Sequence, residues 1–228
     1  MTTEYTRHEG HLEFAEREQH EEGAAHRHAQ EPAVQEPRLL IVGPQGSGKG
    51  TQGARIAEFF GIPAISTGDV FRANIKDGTE LGKKVQSIID AGDLVPDALT
   101  FEVVRDRLNS GDTGEGFLLD GFPRNVAQVE LLDGFLGERE EPLTAVIELD
   151  VPREVSIARL RDRALQQGRA DDTEETIANR LSIYERETAP ILSVYRERGL
   201  VDQIDGVGSL DAVFSRITHA LAARGIVA

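Results

Sequence analysis

The chain has 228 residues, of which 39% are hydrophobic, and its formal net charge is −15. This is enough chain for one compact domain plus an additional segment, and the negative charge disfavours nucleic acid as a partner because phosphate backbones are also negative. The absence of cysteine excludes disulfides and thiolate zinc sites. Since no apolar run approaches the roughly 20 residues of a membrane span and no secretory signal is recognisable, we expect a cytoplasmic protein without a membrane partner.

Residues 1–37 differ from the rest of the chain in composition. They hold nine acidic and three basic residues, together with five of the six histidines. Apolar residues are sparse there and lack helical or strand periodicity, so the segment cannot bury enough surface to offset the entropy cost of ordering it. We therefore expect a disordered, acidic, histidine-rich N-terminal extension. The irregular histidine spacing favours a solvated tail over a metal site.

Short apolar runs and amphipathic segments alternate from residue 38 onward. Strands are predicted at 39–42, 62–66, 117–120, 145–149 and 201–204, and helices at 51–60, 69–76, 80–91, 97–109 and 210–223. A further long helix is predicted to begin at Asp172, with Asp172 as its cap and Glu175 reaching back. Pro190 should break or kink this helix, and Gly199 should end it.

Strands separated by helices of this length predict a parallel sheet covered on both faces. The fold class is therefore α/β, with a five-stranded sheet of the P-loop NTPase type. No internal repeat is visible.

Residues 43–51, GPQGSGKGT, follow the first predicted strand directly. The spacing Gly43-x4-Gly48-Lys49 is that of a phosphate-binding loop. Glycines let backbone N–H groups turn toward phosphates, the following helix presents its positive N-terminal end, and the lysine reaches the terminal phosphates. The hydroxyl of Thr51 stands one position later than in the common pattern. This loop predicts binding of a nucleoside triphosphate and transfer of its terminal phosphoryl group.

Three more segments carry polar and charged residues at the ends of predicted elements. They are STGDVFR at 66–72, DGFPRN at 120–125 with Gln128 one turn later, and RADD at 169–172 with Arg180 two turns into the long helix. Together with the glycine loop, and in this order, they resemble the signature segments of the adenylate kinases.

The resemblance implies the reaction ATP + AMP ⇌ 2 ADP with Mg²⁺. On the ATP side it implies Gly46, Ser47, Gly48, Lys49, Gly50, Thr51, Arg163 and Gly208, with Arg159 a weaker candidate. On the AMP side it implies Thr67, Arg72, Asp93, Leu94, Val95, Gly121, Phe122, Pro123, Arg124, Gln128, Arg169 and Arg180. The catalytic group would comprise Lys49, Arg124, Arg169 and Arg180, and Asp120 would hold magnesium through water.

The same resemblance implies two moving segments within a domain spanning 38–228. Residues 66–95 would close over AMP, and residues 162–172 would form a short lid over ATP. The long form of such a lid can carry zinc on cysteines, which this chain lacks, so we expect no zinc. We expect a monomer whose partners are ATP, AMP and ADP.

The residue chemistry agrees with this reading. Phosphoryl transfer needs two nucleotides in line, positive charge at the shifting oxygens and exclusion of water. The carboxyl edge of a parallel sheet offers a crevice where arginines from several segments can converge.

Two alternatives remain open from the sequence. A UMP/CMP kinase would perform the same chemistry, although Thr67 favours AMP because pyrimidine-selective relatives tend to carry Ala there. A nucleotide-dependent switch is less favoured, since no Asn-Lys-x-Asp motif is present.

Overall fold

The computed structural model describes residues 35–167 and 173–228. Within these residues the strands are β1 (Arg38–Val42), β2 (Ala64–Ser66), β3 (Phe117–Asp120), β4 (Ala145–Asp150) and β5 (Val201–Asp205). They pair in parallel, in the order β2-β3-β1-β4-β5. The predicted α/β fold with a five-stranded parallel sheet is confirmed.

Helices connect and follow these strands in the described part of the chain. They are α1 (Lys49–Phe60), α2 (Thr67–Lys76), α3 (Glu80–Ala91), α4 (Asp97–Leu108), α5 (Val126–Glu138), α6 (Arg153–Gln167), α7 (Glu174–Ile183), α8 (Ala189–Glu197) and α9 (Leu210–Ala223). The sequence patterns did not delimit α5 or α6, although both follow strands at the spacing that a parallel sheet requires.

Strand β1 shows how the sheet is held. Leu40 and Val42 belong to one hydrophobic cluster, whereas Leu39 and Ile41 belong to another, and all four are at most 3% exposed. Because successive strand residues point to opposite faces, the two clusters lie on the two faces of the sheet. Burial of each such side chain contributes about 1.5–3 kcal/mol, which is why the strand reads as a continuous apolar run.

A third, smaller cluster lies in the segment between β2 and α4. Phe71 of α2, Val85 and Ile89 of α3, and Val95 form its buried part. Leu99 and Val103 of α4 are among the partly buried residues packed against it. This segment therefore has a small core distinct from the two clusters of the sheet.

The start of α7 corrects one prediction. Thr173, and not Asp172, is the N-terminal cap: its hydroxyl accepts a hydrogen bond from the Thr176 N–H at 3.2 Å, and the helix begins at Glu174. Asp172 itself lies outside the described residues. Asp and Thr are both good caps, so two neighbouring candidates cannot be separated by residue type alone.

The predicted effect of Pro190 also needs correction. The chain does not break there; a π-helical segment, Tyr184–Thr188, joins α7 to α8, and Pro190 lies in the first turn of α8. Proline is tolerated in that turn because its missing N–H would have no partner within the helix. Gly199, with φ of +70°, follows the end of α8 as predicted.

The expected extension, 1–37, lies outside the described residues except for its last three. Gln35 donates its N–H to the Gly225 carbonyl at 3.1 Å, and Phe117 donates to the Pro37 carbonyl at 3.0 Å. Residues 35–37 therefore already bond to the domain. A search of the described helices finds none with both the length and the apolarity to cross a bilayer.

Candidate active site

A cavity of about 680 Å³ lies along the carboxyl ends of the parallel strands. Its wall is formed by the loops after β1, β2, β3 and β5, by residues 89–95, and by side chains of α6 and α7. This is the edge of a parallel sheet at which ligands bind in open α/β folds.

The loop between β1 and α1 is shaped by its glycines. Gly46 and Gly48 have φ of +82° and +98°, a region that side chains with a Cβ avoid. A Cβ at Gly46 would lie 2.4 Å from the Ser156 carbonyl oxygen, so the loop and α6 approach too closely for any other residue. Among the described residues, the buried oxygens Gln45 Oε1 and Ser47 Oγ have no hydrogen-bond partner. The loop thus offers polar groups and the N-terminal end of α1 to an anion.

Lys49 opens α1 and reaches back across this loop. Its Nζ donates to the carbonyl oxygens of Gly43, at 2.6 Å, and Pro44, at 3.0 Å. Burial lowers the pKa of the ammonium to about 8, and the opposing attraction of Asp120 only partly offsets this. The bound phosphates of a nucleotide would restore the ammonium form, because a nearby negative charge favours it.

Asp120 ends β3 and faces Lys49 electrostatically. Burial raises the pKa of its carboxyl, whereas the positive charges of Lys49 and Arg124 act to lower it. A carboxylate in such surroundings is stabilised by any additional cation at the same place. Asp120 is therefore suited to interact with a metal ion that accompanies phosphates.

Arg124 lies in the loop after β3, and its backbone and side chain are both fixed. Its Nε donates to the Gly121 carbonyl at 2.8 Å, and its backbone N–H donates to Gln128 Oε1 at 2.7 Å. Its carbonyl accepts from the Thr188 hydroxyl at 2.9 Å. The loop is thereby tied to α5 and to the π-helical segment.

The charge of Arg124 is also strained by its surroundings. Burial lowers the pKa of the guanidinium; Asp120 opposes this, and the positive charges of Arg180 and Arg72 lower it further. Cations held together in a region withdrawn from water favour the binding of an anion.

A short hydrogen-bond network continues behind Arg124. Asp97 Oδ1 accepts from Gln128 Nε2 at 2.7 Å and from Asn125 Nδ2 at 2.9 Å. Asn125 Oδ1 in turn accepts the Gln128 N–H at 2.9 Å and caps α5. Gln128 is 1% exposed and lines the cavity.

The start of α2 forms another part of the wall. The Thr67 hydroxyl donates to the Gly121 carbonyl at 2.9 Å, which joins the segments after β2 and β3. Arg72 pairs with Asp69 one turn earlier, at 2.6 Å. Asp69 and Arg72 both line the cavity.

Helix α7 bonds directly to the loop that follows α3. Thr176 Oγ1 donates to the Asp90 carbonyl at 3.3 Å, and Asn179 Nδ2 donates to the Ala91 carbonyl and to Asp93 Oδ1, both at 2.9 Å. Arg180 lines the cavity from the same helix. The arrangement places Arg180 beside residues 89–95.

Arg159 of α6 bridges two loops. Its guanidinium donates to the Ser47 carbonyl at 3.2 Å and to the Gly206 carbonyl at 3.1 Å, with a longer bond of 3.5 Å to Gly46. It therefore connects the loop after β1 with the loop after β5. Since Arg159 also lines the cavity, it is part of the site as well as of its frame.

Most residues singled out from the sequence are brought together here. The cavity wall includes Gly46, Ser47, Gly48, Lys49, Gly50, Thr51, Thr67, Arg72, Asp93, Leu94, Val95, Asp120, Gly121, Arg124, Gln128, Arg163, Arg180 and Gly208. Phe122 and Pro123 are buried and do not line it; Phe122 instead belongs to the sheet cluster that contains Leu40. Arg169 and residues 168–172 of the expected lid lie outside the described residues, and residues 162–167 continue α6.

Sequence reasoning missed several residues of the site. Gln45 and Gly206 line the cavity, and Asp97 and Asn179 hold residues that do. Gln45 lies within the glycine loop and could have been included on position alone. Asp97 and Asn179 act through contacts made with segments 31 and 86 residues away, which no local pattern reports.

Comparison with known proteins gives one consistent result. A family model for adenylate kinase matches residues 41–200. The chain is 58% identical to an adenylate kinase of Leifsonia xyli subsp. xyli over 189 residues, which are 83% of this chain and 95% of that relative. It is 55% identical over 184 residues to one of Kocuria rhizophila (81% and 98%) and 54% identical over 184 residues to one of Bifidobacterium longum (81% and 99%).

Proposed function

The chain belongs to the adenylate kinase family, and on that premise we propose that its cavity holds ATP against the glycine loop and AMP against the segments after β2 and β3. Its reaction is the reversible transfer of the terminal phosphoryl group of ATP to AMP, which gives two ADP. The residue roles below are part of the proposal.

One observation carries the assignment of the site. In a chain of net charge −15, Lys49, Arg124, Arg163 and Arg180 all line the same cavity. The pKa of Lys49 and that of Arg124 are lowered, first by burial and in part by these neighbouring cations. Such a cluster is unfavourable without an anion and becomes favourable when phosphates enter it.

The residues divide into a loop that holds phosphates and arginines that follow the transferred group. The N–H groups of residues 46–51 and the ammonium of Lys49 would bind the phosphates of ATP. Arg124 and Arg180 would stabilise the charge that develops on the shifting oxygens, for which a well-placed arginine contributes about 10³–10⁵ in rate. No general base is required, because the AMP phosphate is already an anion.

Adenylate kinases use MgATP, and the residues present fit that requirement. Magnesium prefers oxygen ligands, keeps several waters and is held by one or two carboxylates together with the substrate phosphates. Asp120 supplies such a carboxylate, and burial raises its pKa in a way that a cation would reverse. We propose that Asp120 holds the ion through water; when bound, Mg²⁺ neutralises phosphate charge during transfer.

On the AMP side, Thr67, Arg72, Gly121 and Gln128 would meet the monophosphate, together with residues 93–95. The small hydrophobic cluster around Phe71 and Val85 supports the proposal that residues 66–95 move as a unit. Arg169 and the lid at 162–172 remain predictions, as does the division into an extension, 1–37, and a kinase domain, 38–228.

The remaining expectations are also kept as proposals. We propose that the protein acts as a monomer in the cytoplasm, without a nucleic-acid or membrane partner, and that it carries no structural zinc. Sedimentation of the purified protein and metal analysis after dialysis test the oligomeric state and the zinc content.

The assignment to AMP is tested by the rate of ATP consumption with AMP, GMP, CMP and UMP at equal concentrations. We expect AMP to be the fastest substrate. A pyrimidine nucleotide turned over faster than AMP would restore the UMP/CMP kinase alternative, which the adenylate kinase relatives do not favour. ATP binding without turnover of any monophosphate would point to a nucleotide-dependent switch.

A further inference from the structure

Asp97 holds a position for which the phosphate chemistry gives no reason. It is the first residue of α4 and is absent from the cavity wall. Its Oδ1 nevertheless accepts hydrogen bonds from two amide side chains, Gln128 at 2.7 Å and Asn125 at 2.9 Å. Gln128 does line the cavity, so Asp97 lies one hydrogen bond behind the substrate.

The carboxylate determines which way both amides point. An ionised carboxylate only accepts hydrogen bonds, so each amide must turn its NH₂ group toward Asp97. The oxygen of Gln128 is then left to accept the Arg124 N–H at 2.7 Å, and the oxygen of Asn125 accepts the Gln128 N–H at 2.9 Å. Because Gln128 is 1% exposed, water offers no substitute for these partners.

A fixed amide can match only one arrangement of donor and acceptor on a base. With these bonds made, the Gln128 amide keeps one further N–H and one further oxygen lone pair. Adenine places an amino donor beside a ring acceptor, a pattern that glutamine pairs well. Guanine places a carbonyl acceptor beside a ring N–H, so the same amide would have to be reversed to pair with it.

We propose that Asp97 is a positioning residue that sets the base preference of the AMP site. By fixing the orientation of the Gln128 amide, it favours AMP over GMP. The inference rests on the proposed function, since it takes Gln128 to meet the base of the monophosphate. Asp97 acts through Gln128 and does not touch substrate.

The direct test is Asp97→Asn. This change keeps the size of the side chain but adds an NH₂ group, which can donate to Gln128 Oε1 and so allow the reversed amide. We expect the ratio of kcat/KM for AMP to that for GMP to fall by about tenfold or more, the effect of one lost or mispaired hydrogen bond. KM for ATP should stay within about twofold, because the glycine loop makes no contact with Asp97 in this network.

A matched control is Glu102→Gln on the same helix. Glu102 is exposed, and the change likewise replaces one carboxylate of α4 by an amide. The AMP-to-GMP ratio of this variant should equal that of the unsubstituted protein. A fall of the same size in the control would assign the effect to charge and overturn the role of Asp97.

A second measurement does not depend on the variant being folded. In the unsubstituted protein, nitrogen-15 spectra should show two separate, slowly exchanging proton signals for the Gln128 side-chain amide. A rapidly exchanging amide would overturn the proposal.

The outcomes separate the inference from the function on which it rests. A folded Asp97→Asn variant with an AMP-to-GMP ratio within twofold of the unsubstituted protein would overturn the inference and leave the proposed function intact. Equal turnover of AMP and GMP by the unsubstituted protein would overturn both.

Discussion

The two halves of the cavity are built in different ways. The half proposed for ATP is one contiguous run, residues 43–51, in which glycines expose the backbone and α1 begins immediately. The half proposed for AMP is joined by side-chain bonds across the chain, from Thr67 to Gly121 and from Thr188 to Arg124, over separations of 54 and 64 residues. The first half should therefore be sensitive to changes of backbone shape, and the second to the loss of single side-chain groups.

The largest effect is expected from Arg124→Ala, which removes the most enclosed cation of the AMP half. Turnover should fall by about 10³–10⁵, the contribution of an arginine that stabilises a transferring phosphoryl group. ATP binding, measured by calorimetry, should be nearly unchanged, because the glycine loop is intact. The matched control is Arg153→Ala, which removes a half-exposed arginine paired with Glu185. Turnover within tenfold of the unsubstituted protein would contradict the role given to Arg124.

Gly46→Ala tests the ATP half through its backbone. The new Cβ would lie 2.4 Å from the Ser156 carbonyl oxygen at a φ of +82°, so the loop must shift. A displacement of this order can cost about 10²-fold, and we expect a loss of that size in kcat/KM for ATP. Gly134→Ala is the control: no atom lies within 4 Å of its Cβ, and this helical site should become about 0.5–1 kcal/mol more stable. Equal activity of the two variants would contradict the comparison.

The smallest effect concerns the titration of Lys49. The chain has only four lysines, so carbon-13 spectra of labelled lysine should resolve it, with a pKa of about 8 in the free protein. Added ADP should raise this value, and kcat/KM for ATP should decline as pH rises through about 8, because the neutral amine no longer attracts phosphate. A free-protein pKa at the ordinary 10.5 would contradict the burial of this ammonium.

The same shift gives a signed effect on stability. The folded pKa of Lys49 lies below the unfolded value, so its burial cost is fully present below about pH 8. That cost is relieved as pH rises from about 8 toward 10.5, where the folded state binds fewer protons than the unfolded state.

The sequence predicted the parts of this molecule that depend on neighbouring residues. Leu39–Val42 could be recognised as a buried strand because every residue in it is apolar, and Lys49 could be assigned because its glycines stand beside it. The ends of α9 were predicted without error for a similar reason, since Ser209 and Arg224 bound a clear amphipathic run. Local chemistry is sufficient where an element is specified by its own residues.

What the sequence did not predict depends on contacts made in space. Asp97 reads as an ordinary acidic residue in the first turn of a helix, and Arg159 as a charge on a solvated one, until the fold brings their partners to them. Phe122 stands within a binding motif yet belongs to the core, because its side chain turns away from the loop it interrupts. The cap of α7 at Thr173 failed for a smaller reason, as two adjacent residues were equally good candidates.

The small cluster around Phe71, Val85, Ile89 and Val95 has a consequence for how stability is distributed. Local opening costs as much free energy as the apolar contacts that must be given up, and this segment has far fewer of them than either face of the sheet. Its amide hydrogens should therefore exchange with solvent through partial unfolding, while those of β1 and β3 wait for the whole domain to unfold. The protein can open this segment once per turnover and still keep the sheet closed.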